Sequence, residues 1–77
     1  LDVSPHVYDQ LKTRRLKASD IADSLTAPLG TGKIRTDRSQ QFIGEVATSV
    51  INVDTGKVIT VWPTSTKKAK KLKGGSP

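Results

Sequence analysis

The chain has 77 residues, a formal net charge of +6, one histidine, one tryptophan and no cysteine. A single domain of this size buries only about 60% of its unfolded surface, and neither disulfides nor a thiolate metal site can supplement so thin a core. No run approaches the ~18 apolar residues of a membrane-spanning helix, so no membrane anchor is expected, and no signal peptide is visible.

The sequence opens on Leu1 rather than methionine and reads as a piece excised from something longer. Ser4 followed by Pro5 is an N-cap with proline at the first helical position, predicting a helix to about Arg15 with Val7, Tyr8 and Leu11 inward. His6, Gln10 and Arg14 follow at spacings of four. Each such step rotates only about 40° around the helix axis, so the three form one polar stripe. In the first turn the positive end of the helix dipole disfavours an imidazolium, and a neutral imidazole can accept a proton.

A second short helix is predicted over 17–29, capped near Ser19 and Asp20, with Ile21, Ala22, Leu25 and Leu29 inward. Pro28 and Gly30 end it. Gly30-Thr31-Gly32 is a turn, and a lone GxG without further glycines is no dinucleotide fingerprint. Alternation around Ile34 predicts an edge strand over 33–37 whose Lys33 and Arg35 point outward. After a turn at Arg38-Ser39, a strand starts at Gln40 and bends at Gly44 before continuing from Ala47 to Val53.

The hairpin around Asp54-Thr55-Gly56-Lys57 organises the chain, with Gly56 at positive φ and a return strand from Val58 to Trp62. Alternation places Ile51, Val53, Ile59 and Val61 on the core face, and Thr48, Val50, Asn52, Thr60, Trp62 and Thr64 on the other. Pro63 ends regular pairing, leaving Thr64, Ser65 and Thr66 beyond the rim. Five lysines (67, 68, 70, 71 and 73) fall in the last twelve residues, and without them the body carries about +1. This tail is read as a short helix through Leu72 followed by a disordered end at 74–77. The whole is one domain over 1–73, with 66–77 a basic, partly disordered tail.

One histidine and no cysteine leave no usual protein-only zinc site, and the acidic residues are not spaced as a two-carboxylate or two-metal site. What remains is His6 as a titrating group, Arg14 as an anion partner, and hydroxyl and lysine donors. This set suits metal-independent RNA cleavage: histidine activates a ribose 2′-OH, arginine stabilises charge on the phosphate, and a threonine or serine orients its oxygens. Thr48, Lys33 and Arg35 would add substrate contacts, and Trp62 would stack on a base. The alternative is a non-catalytic basic module that binds nucleic acid through the lysine tail and Trp62. A third is an interaction domain without chemistry.

Ser4-Pro5-His6, Arg14, Asp20-Ile21 and Pro28-Leu29 in the helical half match a known family. So do Gln40-Gln41-Phe42-Ile43-Gly44, Ala47-Thr48, Ile51-Asn52, Thr55-Gly56-Lys57 and Val61-Trp62-Pro63-Thr64-Ser65 in the sheet half. Over about residues 4–72 the chain resembles the C-terminal toxin domains of bacterial polymorphic toxins in the barnase, EndoU, colicin and RelE-like ribonuclease group. The resemblance implies an α+β fold of two N-terminal helices followed by a four-stranded antiparallel sheet. It implies a monomeric, cofactor-free ribonuclease, secreted as the C-terminal part of a larger effector and acting on RNA, tRNA among the candidates, in the cytoplasm of target bacteria. A cognate immunity protein, expected to be acidic and to cover the His6 and Thr64 region, would neutralise it. By position, His6 and Arg14 match the family's helical pair, Thr48 the threonine after alanine, and Thr64 and Ser65 the terminal Pro-Thr-Ser. Three positions depart from the pattern: Arg15 replaces a common glycine, Asn52-Val53 replaces asparagine-proline, and Ser49 stands where a β-branched residue is usual.

Overall fold

The computed structural model describes residues 3–73. The chain is α+β: α1 (Pro5–Thr13), α2 (Ala18–Thr26), β1 (Gly30–Thr31), β2 (Ser39–Ile43), β3 (Ala47–Asn52), β4 (Val58–Pro63) and α3 (Thr66–Lys73). The sheet is antiparallel throughout, in the order β1-β2-β3-β4. The expected fold class, two N-terminal helices followed by a four-stranded antiparallel sheet, is present, and the lysine-rich tail adds the third helix. Residues 74–77, expected to be disordered, lie outside the described residues.

The hairpin forms as its turn chemistry dictates. Asn52 Oδ1 accepts the backbone N–H groups of Asp54 and Thr55, and Gly56 takes φ 75°, a conformation in which a β-carbon is costly. In β3 and β4, Ser49 pairs with Val61 and Val50 with Thr60, but Ile51 pairs with Val58. The register shift leaves Ile59 without a partner, as in a β-bulge. Val58 and Val61 therefore both face the core, which corrects the expectation that Ile59 does. Val53 lies beyond the strand, with its backbone N–H donating to the Arg38 carbonyl.

One sheet face is covered by α1 and α2. Val7, Ile21, Ala47, Val58 and Val61 form the centre of the core, with Val3, Leu11, Leu16, Leu25 and Ile51 packed around them. Tyr8, expected inward, is 58% exposed, because α1 buries only the narrow stripe through Val7 and Leu11. In α2 Ala22 is likewise exposed, and Ser24 takes the inward position. Helix α2 starts at Ala18, where the Lys17 N–H donates to Asp20 Oδ2 at 2.9 Å.

The opposite face is crossed by α3. Gly30 pairs with Ile43, Ile43 with Thr48 and Thr48 with Trp62, so all four positions share that face. A β-carbon at Gly30 would lie 3.5 Å from a Leu72 methyl. Helix α3 thus leaves the β4 edge and reaches the β1 edge. Its passage explains why Ile43, Val50 and Ala69 are buried on the face away from α1 and α2.

The strand expected over 33–37 is not formed. The first strand is the two-residue β1, and the following loop is held by the Gly32 N–H on the Gln41 carbonyl and the Arg35 N–H on the Ser39 carbonyl. Asp37 then caps the start of β2, accepting the Ser39 backbone N–H at 3.1 Å and its hydroxyl at 2.6 Å. Those bonds hold the Asp37 carboxyl below its ordinary pKa, and the Arg38 ion pair does the same for Asp54.

Arg15 occupies the left-handed region at φ 54°, at the position where the resembled family has glycine. A β-carbon there costs about 1–2 kcal/mol, partly offset by the greater unfolded-state freedom of glycine. Arg15→Gly is therefore expected to raise stability by about 0.5–1 kcal/mol, seen as a higher urea midpoint at unchanged slope. A lower midpoint would show that the Arg15 side chain holds the turn.

Candidate active site along the outer edge of β4

Strand β4 is an edge strand, and its outward backbone groups would be open to pairing with another chain. The polar stripe of α1 and the residues before it fill this edge. Val3 forms a parallel bridge with Val58, and the Ser4 N–H donates to the Val58 carbonyl at 2.9 Å. The Ser4 hydroxyl donates to the Ile59 carbonyl at 3.2 Å, and the bulge at Ile59 turns that second successive carbonyl outward. Gln10 Oε1 accepts both the Thr60 hydroxyl at 3.1 Å and the Val61 N–H at 3.0 Å. Arg14 Nη1 donates to the Val61 carbonyl.

His6 is exposed, and its Nδ1 lies 3.0 Å from Ser4 Oγ. Ser4 makes no side-chain cap to the helix. A serine hydroxyl has one hydrogen, and this one is directed at the Ile59 carbonyl. The remaining role for Ser4 Oγ is to accept, so Nδ1 is the donor in this contact and Nε2 is the ring nitrogen that it does not use. The anchoring carbonyls of Ile59 and Val61 lie roughly 7 Å apart along the strand. Imidazole, Thr60 hydroxyl, Gln10 carboxamide and Arg14 guanidinium thus lie in sequence along one strand edge.

Thr64 and Ser65 are placed elsewhere. Thr64 lies beyond the His6 anchor at Ile59 by roughly 16 Å of extended chain. Its hydroxyl is 2.8 Å from that of Thr48, and Thr48 is only 1% exposed. Ser65 Oγ accepts the Lys68 backbone N–H at 3.1 Å and so caps the first turn of α3. The structure therefore sets His6 and Arg14 along one strand edge, about two helical turns apart, and does not gather the two closing hydroxyls around them. Trp62 is half-buried on the α3 face, and Lys33 and Arg35 are exposed on the loop between β1 and β2 rather than on a strand.

Ser4, Gln10 and Thr60 are the members of this row not assigned chemistry from the sequence. The spacing of four already put Gln10 in the stripe. Ser4 was hidden by its fitness as an N-cap, and only the bulge shows what Thr60 meets. Among the described residues no three His, Cys, Asp or Glu side chains come together as a metal site, and no helix is long and apolar enough to cross a membrane. Comparisons with protein-family models, curated proteins and solved structures find no match to this chain.

Proposed function

We infer that the chain is a metal-independent endoribonuclease domain whose working groups lie along the outer edge of β4. The observation that carries this reading is the His6–Ser4–Ile59 linkage, which holds the ring through Nδ1 on the same strand edge as Arg14 and does not use Nε2, the nitrogen assigned here as the base. His6 takes the proton from a ribose 2′-OH, whose oxygen attacks the adjacent phosphorus and expels the 5′-oxygen of the next nucleotide. Arg14 has donors beyond the one spent on the Val61 carbonyl, and these stabilise charge on the phosphate oxygens. Thr60, rather than Thr64 or Ser65, is the β4 hydroxyl on this edge, held by Gln10 between the anchors of His6 and Arg14. The resemblance to polymorphic toxin domains supports the further proposal of a toxin acting in competitor bacteria and neutralised by an acidic immunity protein.

The test is cleavage of total RNA by the purified chain in excess EDTA. Products ending in 2′,3′-cyclic phosphate are expected, because the attacking oxygen stays on the same ribose. A strict requirement for magnesium would remove the mechanism.

A second reading is favoured by one observation: Lys67, Lys68, Lys70, Lys71 and Lys73 are all exposed on α3. On that reading the chain binds nucleic acid without cutting it. Salt-dependent RNA binding with intact RNA ends would establish this in place of the endonuclease.

A further inference from the structure

We propose that the cavity between the end of β4, the β2–β3 turn and α3 is a nucleotide subsite for single-stranded RNA, separate from the α1 edge. It rests on the RNA-directed reading above and extends it by placing a nucleotide that flanks the cleaved bond. The cavity measures about 400 Å³ and is lined by Glu45, Thr64, Thr66, Ala69, Lys70 and Lys73. That volume falls within the range of small-ligand sites.

Its chemistry selects among occupants. Ala69 is buried and gives an apolar wall, and two threonines and two lysines supply polar groups. Lys73 Nζ is held 2.8 Å from Glu45 Oε1, whereas Lys70 has no ion-pair partner among the described residues. Lys70 is thus the cation free to meet a phosphate, and the exposed Lys67, Lys68 and Lys71 extend the positive surface along α3. A free phosphate would use Lys70 but leave most of the cavity empty. A nucleotide places its base against the apolar wall and its phosphate on Lys70. Thr64 lies roughly 10 Å beyond Val61 along β4, a distance that a flexible single strand anchored at Arg14 can bridge.

The probe is a short 2′-O-methylated oligoribonucleotide, which lacks the nucleophile for cleavage, followed by fluorescence anisotropy across a salt series. Lys70→Ala is expected to weaken binding about tenfold and to reduce the salt slope by about 0.7. Lys71→Ala removes the same charge outside the cavity and is expected to weaken binding less than about threefold. A 5′-mononucleotide should displace the probe at concentrations where inorganic phosphate of matched ionic strength does not. Equal losses for the two lysine variants, unchanged binding by Lys70→Ala, or equal competition by phosphate would each overturn the subsite. Because the probe cannot be cut, the two readings separate. A selective Lys70 effect without cleavage of ordinary RNA supports the subsite and removes the endonuclease. Cleavage with equal lysine effects overturns the subsite alone.

Discussion

Alanine at position 6 is expected to lower RNA cleavage by a factor on the order of 10²–10⁴ while leaving the chain folded. The ring is exposed and its one hydrogen bond among the described residues is to Ser4 Oγ, so its removal opens no core cavity. The Ser4 hydroxyl keeps the Ile59 carbonyl, and Gln10 and Arg14 keep their bonds to β4. Far-ultraviolet circular dichroism and the urea midpoint should therefore match the parent chain. Added imidazole should restore part of the activity, because the deficit is a missing proton acceptor. Ser4→Ala provides the companion measurement. It keeps the ring but frees its orientation and tautomer, so a loss of at most about a hundredfold is expected, without rescue by imidazole. A folded His6→Ala variant that cuts RNA at the parental rate would end the assignment of His6 as the base.

The same row of residues shows what a linear reading can reach. The His6, Gln10 and Arg14 stripe follows from helical spacing alone, and the hairpin turn follows from Asp54 and Gly56. What the stripe faces does not follow, because that depends on which strand ends at an edge. A shift of one residue at Ile59 decides it, and Val58 and Ile59 are chemically too alike for sequence to choose between them. The Lys33–Asp37 segment misled for a related reason. Its alternation rests on the single apolar Ile34, which is 50% exposed, while the Arg35 N–H and carbonyl are taken by turn bonds to Ser39 and Arg38. Thr64 and Ser65 were legible as residues beyond the sheet rim. Their use as a partner for Thr48 and a cap for α3 was not, because it depends on the direction in which α3 turns.

Gly44→Ala is expected to destabilise the chain more than any change to the proposed chemistry. The Gly44 N–H donates to the Ala47 carbonyl at 2.8 Å in the turn between β2 and β3, directly beneath α2. A β-carbon at this position would stand 2.7 Å from the Ala47 oxygen and 2.8 and 2.9 Å from Ser24 Cβ and Cα. None of these atoms is the far end of a flexible side chain, so the helix itself must move away from the sheet. That movement would also strain the contact beneath it, where the Ser24 and Ser49 hydroxyls lie 2.7 Å apart with both residues fully buried. Ser49 stands where the resembled family has a β-branched residue, and the hydroxyl pair is what fills that space here. Separating the two takes the Ser24 oxygen away from the buried Ser49 hydroxyl, while Ser24 keeps the Ile21 carbonyl of its own helix, and this adds to the steric cost. Overpacking of this kind costs about 1–3 kcal/mol or more, a large share of the stability of a small domain. The expected result is a lower urea midpoint and loss of slow-exchanging amides in α2, with Gly56→Ala as the contrasting case. At Gly56 nothing among the described residues lies within 4 Å of an added β-carbon, and the backbone conformation is what resists it. A Gly44→Ala midpoint equal to the parent's would mean that α2 can ride higher on the sheet at no cost, and that the Ser24–Ser49 contact does not fix its height.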